Sequence, residues 1–288
     1  MCDDEIHQGL VQDVPLTRRG FGLAAAAAAG YATSAAAQAA AAVIETDVTV
    51  KTPDGACDAA LFTPPGRGTH PGVLIWTDIL GLRPAFRDMG RRLASSGYVV
   101  LVPNPFYRSA KAPVVGPDFN FADPASRAKV FALRRAMTND GIDKDAAAYT
   151  AFLEAQPRVS KKAKMGVQGY CMGGELMLRT AAACADRVAA GGSFHGGTLV
   201  NKTPQSPHLL APKLKGRFYI AEAQNDDTSD PTAKDTVRAA FEAAKVPMTL
   251  EVYPAQHGWC VPGSAVYNAE QAERAWGELL KLYKTALA

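Results

Sequence analysis

The sequence predicts an α/β fold, a mostly parallel central sheet with helices on both faces. Short uncharged runs such as Gly72-Val73-Leu74-Ile75-Trp76 read as strands buried on both faces. Longer stretches with helical apolar spacing separate them, and strands that alternate with helices build a parallel sheet. The balance of 48% hydrophobic and 20% charged residues over 288 residues is that of a globular chain, which excludes disorder and collagen.

Each element follows from local chemistry. Residues 46–51 alternate polar and apolar side chains. Residues 59–63 follow the turn cluster Pro53-Asp54-Gly55, so an opening hairpin is expected. Residues 72–76 form the first buried strand. Pro84, with its fixed φ, suits the first turn of a helix running to Ala94, and Gly97 ends it. Residues 98–102 form another buried strand, stopped by Pro103 and Pro105. A Pro-rich loop is expected over residues 103–124. Apolar spacing predicts helices over 125–137, 143–155, 172–183, 232–244 and 265–287. Strands are expected over 164–168, 188–194, 217–222 and 248–253. Crossovers between parallel strands are right-handed by default.

The first forty residues read as an address. Thr17-Arg18-Arg19-Gly20-Phe21-Gly22-Leu23 sets two arginines ahead of an uncharged, Ala-rich run that ends near Ala42. Ala37-Gln38-Ala39 is an A-x-A cleavage site. Alanine gains little from lipid, so no stable membrane anchor is expected. The pattern resembles a twin-arginine signal, read by the export machinery. Residues 1–42 are therefore expected to be removed, leaving residues 43–288 as one periplasmic domain. Cutting after Ala39 leaves about 250 residues, within the range of a single α/β domain.

The remaining composition narrows the class. Lys+Arg is 31 against Asp+Glu 28, a net charge of +3 with no basic stripe, so no nucleic-acid partner is expected. Five Cys are too few for a disulfide scaffold. Cys57, Cys171, Cys184 and Cys260 follow the signal, and an oxidising compartment permits a bridge among them. No Cys-x-x-Cys occurs and the five His are scattered, so neither a metal nor another cofactor is expected.

Parallel sheets bind ligands beyond the carboxyl ends of their strands, so the residues just after each strand are the site candidates. Gly169-Tyr170-Cys171-Met172-Gly173-Gly174 joins a strand to a helix. This is the nucleophile-elbow pattern with Cys in place of Ser. The glycines are needed because side chains two residues before or after the nucleophile clash with the neighbouring strand and helix. The helix N-terminus below it favours thiolate and oxyanion alike. A Gly-rich turn around an inert Cys is the bland alternative, and the strand–turn–helix setting argues against it. His257 follows the last expected strand, where such folds place a base. Asp226 follows the strand over 217–222 and is the candidate acid, with Asp227 the adjacent alternative. His195, in Phe194-His195-Gly196-Gly197, also ends a strand and could line the pocket or donate a hydrogen bond.

With those residues in view, the chain resembles the dienelactone hydrolase family of α/β-hydrolases from about Thr46 onward. The motifs are the Cys171 elbow, Asn225-Asp226, His257-Gly258 and Trp76-Thr77-Asp78-Ile79-Leu80-Gly81-Leu82 with Arg87-Asp88 and Gly97-Tyr98 after it. The resemblance implies the α/β-hydrolase fold and a Cys171–His257–Asp226 triad. It implies an oxyanion hole from the backbone N–H groups of Met172 and Ile79. The substrate would be a small ester or lactone, cleaved through a thioester. It also implies that Asp78, standing where the family has Glu, modulates the thiol. The dienelactone enzymes carry an Arg four residues after the catalytic His; here that position is Val261, which argues against an anionic lactone. The alternatives are a non-catalytic binding or stress-related member of the fold and a thiol redox protein using Cys171 with Cys260.

Overall fold

The computed structural model describes residues 42–116 and 118–287. The expected signal lies, but for its last residue, outside the described residues. The hairpin is present: β1 (Ile44–Thr52) and β2 (Gly55–Thr63) pair antiparallel, with Val50 opposite Cys57. The other strands are β3 (Gly72–Trp76), β4 (Val99–Pro103), β5 (Met165–Tyr170), β6 (Val188–Phe194), β7 (Arg217–Ala223) and β8 (Met248–Tyr253). They form one eight-stranded sheet in the order β1-β2-β4-β3-β5-β6-β7-β8. β2 runs antiparallel to β4, and from β4 through β8 all pairings are parallel. This is the α/β architecture the apolar runs predict.

Every residue of β3, β4 and β5 is buried, because helices cover both faces. On one face α1 (Pro84–Ser95) and α7 (Ala269–Ala286) bring Phe86, Leu93, Trp276 and Leu279 against Val73, Ile75 and Val100. On the other, α3 (Asn139–Ala155), α4 (Met172–Ala183) and α6 (Ala233–Ala243) bring Tyr149, Leu176 and Phe241 against Leu74, Val167 and Phe218. Each such large apolar side chain stabilises the fold by roughly 1.5–3 kcal/mol. No helix among the described residues is long and apolar enough to cross a membrane.

The Pro-rich segment after β4 is a loop, as expected, and leads into α2 (Pro124–Arg135). Asn104 holds its start: Nδ2 donates to Asp58 Oδ1 and Ala110 O, and Oδ1 accepts the Phe106 N–H. Four details differ from the periodicity, the first being that α3 begins at Asn139 and not at residue 143, capped by the Thr138 side chain, which accepts the Gly141 N–H. A 3₁₀ turn spans Pro207–Lys213, and a short helix α5 (Gln224–Ser229) begins directly after β7. The closing helix starts at Ala269 and not at residue 265. Gly263 at φ +82 turns the chain there, and the Asn268 side chain caps the helix by accepting the Gln271 N–H at 3.1 Å.

Candidate active site

Cys171 sits between the last residue of β5 and the first of α4, at φ 54 and ψ −120. A non-glycine residue held there costs of order 1–3 kcal/mol and persists only where its surroundings over-determine it. The flanking glycines supply that constraint. A Cβ on Gly169 would lie 1.8 Å from Gly173 O, and one on Gly173 would lie 2.7 Å from Trp76 O. The elbow is thus in backbone contact with the loop leaving β3, which carries Thr77, Asp78 and Ile79. Met172 opens α4, at the end of a helix whose first N–H groups lack an acceptor within it.

His257 lies on the loop after β8, and its backbone N–H donates to Asn225 Oδ1 at 2.8 Å. Its Nδ1 stands 2.7 Å from Asp226 Oδ2, and the Cys171 side chain lies beside the same ring. Burial opposes a charge on His257. The Asp226 carboxylate and the Cys171 sulfur outweigh that burial and push its pKa up to about 10. Asp227, the adjacent alternative, is ion-paired with Lys234 instead. Helix α5 separates the two: both lie in its first turn, but they leave it in different directions.

Cys171 and Cys184 are partly exposed, whereas Cys57 and Cys260 are buried. Burial pushes the Cys57 thiol up to about 12, even with the Tyr149 hydroxyl donating to it, and raises Cys184 and Cys260 as well. All four are free, so no bridge joins Cys171 to Cys260. Among the described residues no His, Cys, Asp or Glu cluster is arranged to hold a metal ion.

The chain matches the dienelactone hydrolase family over residues 57–287. It belongs to that family. A Synechocystis protein is 29% identical to it over 248 residues, covering 84% of this chain and 97% of its own. The carboxymethylenebutenolidase of Pseudomonas sp. (strain P51) is 26% identical over 76% of this chain and 87% of its own. Among solved structures, a dienelactone hydrolase-like promiscuous phosphotriesterase from metagenomic libraries superposes with a TM-score of 0.69. It shares 22% identity, covers 86% of this chain and all of the other, and shows the same fold.

Two positions set this dienelactone hydrolase family member apart from the pattern its sequence resembles. Both Asp78 oxygens are taken by Arg83, at 2.6 and 2.7 Å, and Oδ1 also accepts the Leu80 N–H at 2.9 Å. No hydrogen bond joins Asp78 to Cys171 among the described residues. Val261 is buried, so it presents no charge to a ligand. Periodicity and motif did not single out Arg83, and gave Asn225 only as a neighbour of Asp226. His195 was visible at its strand end, but its partners lie on other strands.

Proposed function

We propose that this hydrolase cleaves a carboxylic ester or lactone with Cys171 as nucleophile, His257 as base and Asp226 as its orienting acid. The observation that carries the reading is the 2.7 Å contact of Asp226 Oδ2 with His257 Nδ1, with the Cys171 side chain beside that ring. With Nδ1 committed to Asp226, Nε2 is the ring nitrogen that serves the sulfur. The Cys171 thiolate adds to the carbonyl carbon, and the electron pair moves to the carbonyl oxygen. The N–H groups of Met172 and Ile79 receive that oxyanion. Collapse expels the alcohol, which takes the proton from His257, and leaves a thioester on Cys171. His257 then removes a proton from water, which attacks the thioester. The acid leaves, and the proton returns to the Cys171–His257 pair.

The pair with Arg83 favours a structural part for Asp78 over modulation of the thiol. Its part in this reading is to shape the loop that presents Ile79. With Val261 in place of an Arg, the reading favours a neutral acyl group over a carboxylate-bearing one. The test is a panel of neutral and anionic esters and lactones. Turnover of a short activated ester is expected, and its loss in both Cys171→Ala and His257→Ala. Folded variants that keep normal turnover overturn the proposal.

The twin-arginine segment supports an exported, periplasmic enzyme cut near Ala39. Its test is a fusion of residues 1–42 to a reporter that requires folding before export. Replacing Arg18 and Arg19 with Lys is expected to hold the fusion in the cytoplasm.

A further inference from the structure

His195 follows β6 with its backbone at φ 42, a conformation that His and Asn tolerate better than most side chains. Its side chain is 1% exposed. The imidazole Nδ1 stands 3.1 Å from the backbone nitrogen of Cys171, and that same N–H also reaches Phe194 O at 3.0 Å. An amide N–H can only donate, so Nδ1 must carry a lone pair and the ring proton must sit on Nε2. The ring also meets His257 edge-on at 4.8 Å between centroids and Trp259 at 5.3 Å. Nε2 is buried without a polar partner among the described residues. Among the described residues the titratable groups in contact with the ring are Cys171, His257 and Tyr170.

These contacts join two loops that the reaction needs in register. The Nδ1 atom of a single imidazole holds the strained residue that carries the sulfur, and the same ring packs against the ring that serves the sulfur. A proton on Nδ1 would remove the acceptor. It would also set a buried cation against His257, whose own positive charge, after burial, already disfavours it.

We propose that His195 is a positioning residue for the Cys171–His257 pair. It acts as a permanently neutral Nε2–H tautomer that accepts the Cys171 backbone N–H and backs the His257 ring. This deepens the hydrolase reading and rests on it for the kinetic test alone.

The experiment has two arms. The first uses wild-type protein labelled with ¹⁵N-histidine, the His195 signal being assigned by its absence in His195→Asn. The expected spectrum shows the neutral Nε2–H form, unchanged as pH falls through the ordinary imidazole value. An Nδ1–H form, or titration in the ordinary range, overturns the proposal whether or not any ester is turned over.

The second arm compares His195→Phe, which keeps a ring and loses the acceptor, with His195→Asn, whose Oδ1 can replace Nδ1. The Phe variant is expected to lose about 10²-fold in kcat, with KM within about twofold. Its Cys171 alkylation by iodoacetamide should slow, with a displaced pH profile. The Asn variant should recover at least about tenfold of the lost kcat and most of the alkylation profile. Equal behaviour of the two variants, or wild-type behaviour of the Phe variant, rejects the assignment. If the Phe variant does not fold, the tautomer and the Asn variant's alkylation profile decide it, a profile unlike wild type counting against.

Discussion

Both oxygens of Asp78 face the guanidinium of Arg83, at 2.6 and 2.7 Å, in a fork-to-carboxylate pair that ties the acid to the N-cap of α1. The pair also sets the geometry of the loop, because Oδ1 accepts the Leu80 N–H and the Asp78 carbonyl accepts the Gly81 N–H. Ile79 lies inside that turn.

The consequence can be measured by separating two reactions of the same sulfur. Alkylation by iodoacetamide develops no carbonyl oxyanion, whereas ester cleavage does. Asp78→Ala is therefore expected to lower kcat by about 10²-fold, the cost of one misplaced oxyanion donor, and to leave the alkylation rate within about twofold. A large change in alkylation instead would return to Asp78 the thiol-modulating role that the family resemblance implies.

Asp226 and Asp227 are adjacent in the chain but not in chemistry. Asp226→Asn should lower kcat by about 10³-fold, because the amide no longer holds the His257 tautomer or balances the imidazolium. Asp227→Asn breaks only the pair with Lys234 and should leave kcat within about twofold. Steady-state kinetics on one activated ester distinguishes them, and equal losses would move the acid's role to the whole turn.

His257 ties stability to pH. Its pKa rises from the ordinary 6.5 to about 10 in the folded protein, so the fold binds this proton more tightly than the unfolded chain does. The stabilisation is fully present below 6.5 and is lost as pH rises through about 10. Urea midpoints taken from pH 6 to pH 10 should fall for wild type and fall less steeply for His257→Gln. Parallel curves would show that other groups carry the alkaline loss.

Glu222, on β7, has its pKa raised to about 7 by burial first and then by the charges of Asp227 and Asp226, with Lys234 opposing. A raised carboxyl favours folding while protonated, so this contribution is complete below the ordinary 4.5 and fades as pH rises through about 7. Glu222→Gln should match wild type near pH 4. At pH 8 it should be more stable by about 1 kcal/mol, after allowance for solvent screening. Equal stability at both pH values would remove Glu222 from the balance around the triad acid.

Much of this molecule was legible before its coordinates. The bounds of β3, α4, β6 and β8 agree with the apolar runs that predict them. β3 and β6 are almost wholly buried, so their apolar runs are nearly unbroken, and Pro254 directly follows β8. The start of α7 and the helix α5 were less legible, because a cap and a six-residue helix leave little periodic signal.

The chain by itself determined the sharp turn that carries Cys171. Gly169, Cys171 and Gly173 lie within five residues, and the sterics that force the sharp turn act over that short range. Only the tertiary structure decided which aspartate meets His257, that Arg83 occupies Asp78, and that His195 touches both Cys171 and His257. Those contacts join side chains from separate strand ends. Their choice depends on directions set by the twist and register of the whole sheet, which no local pattern encodes.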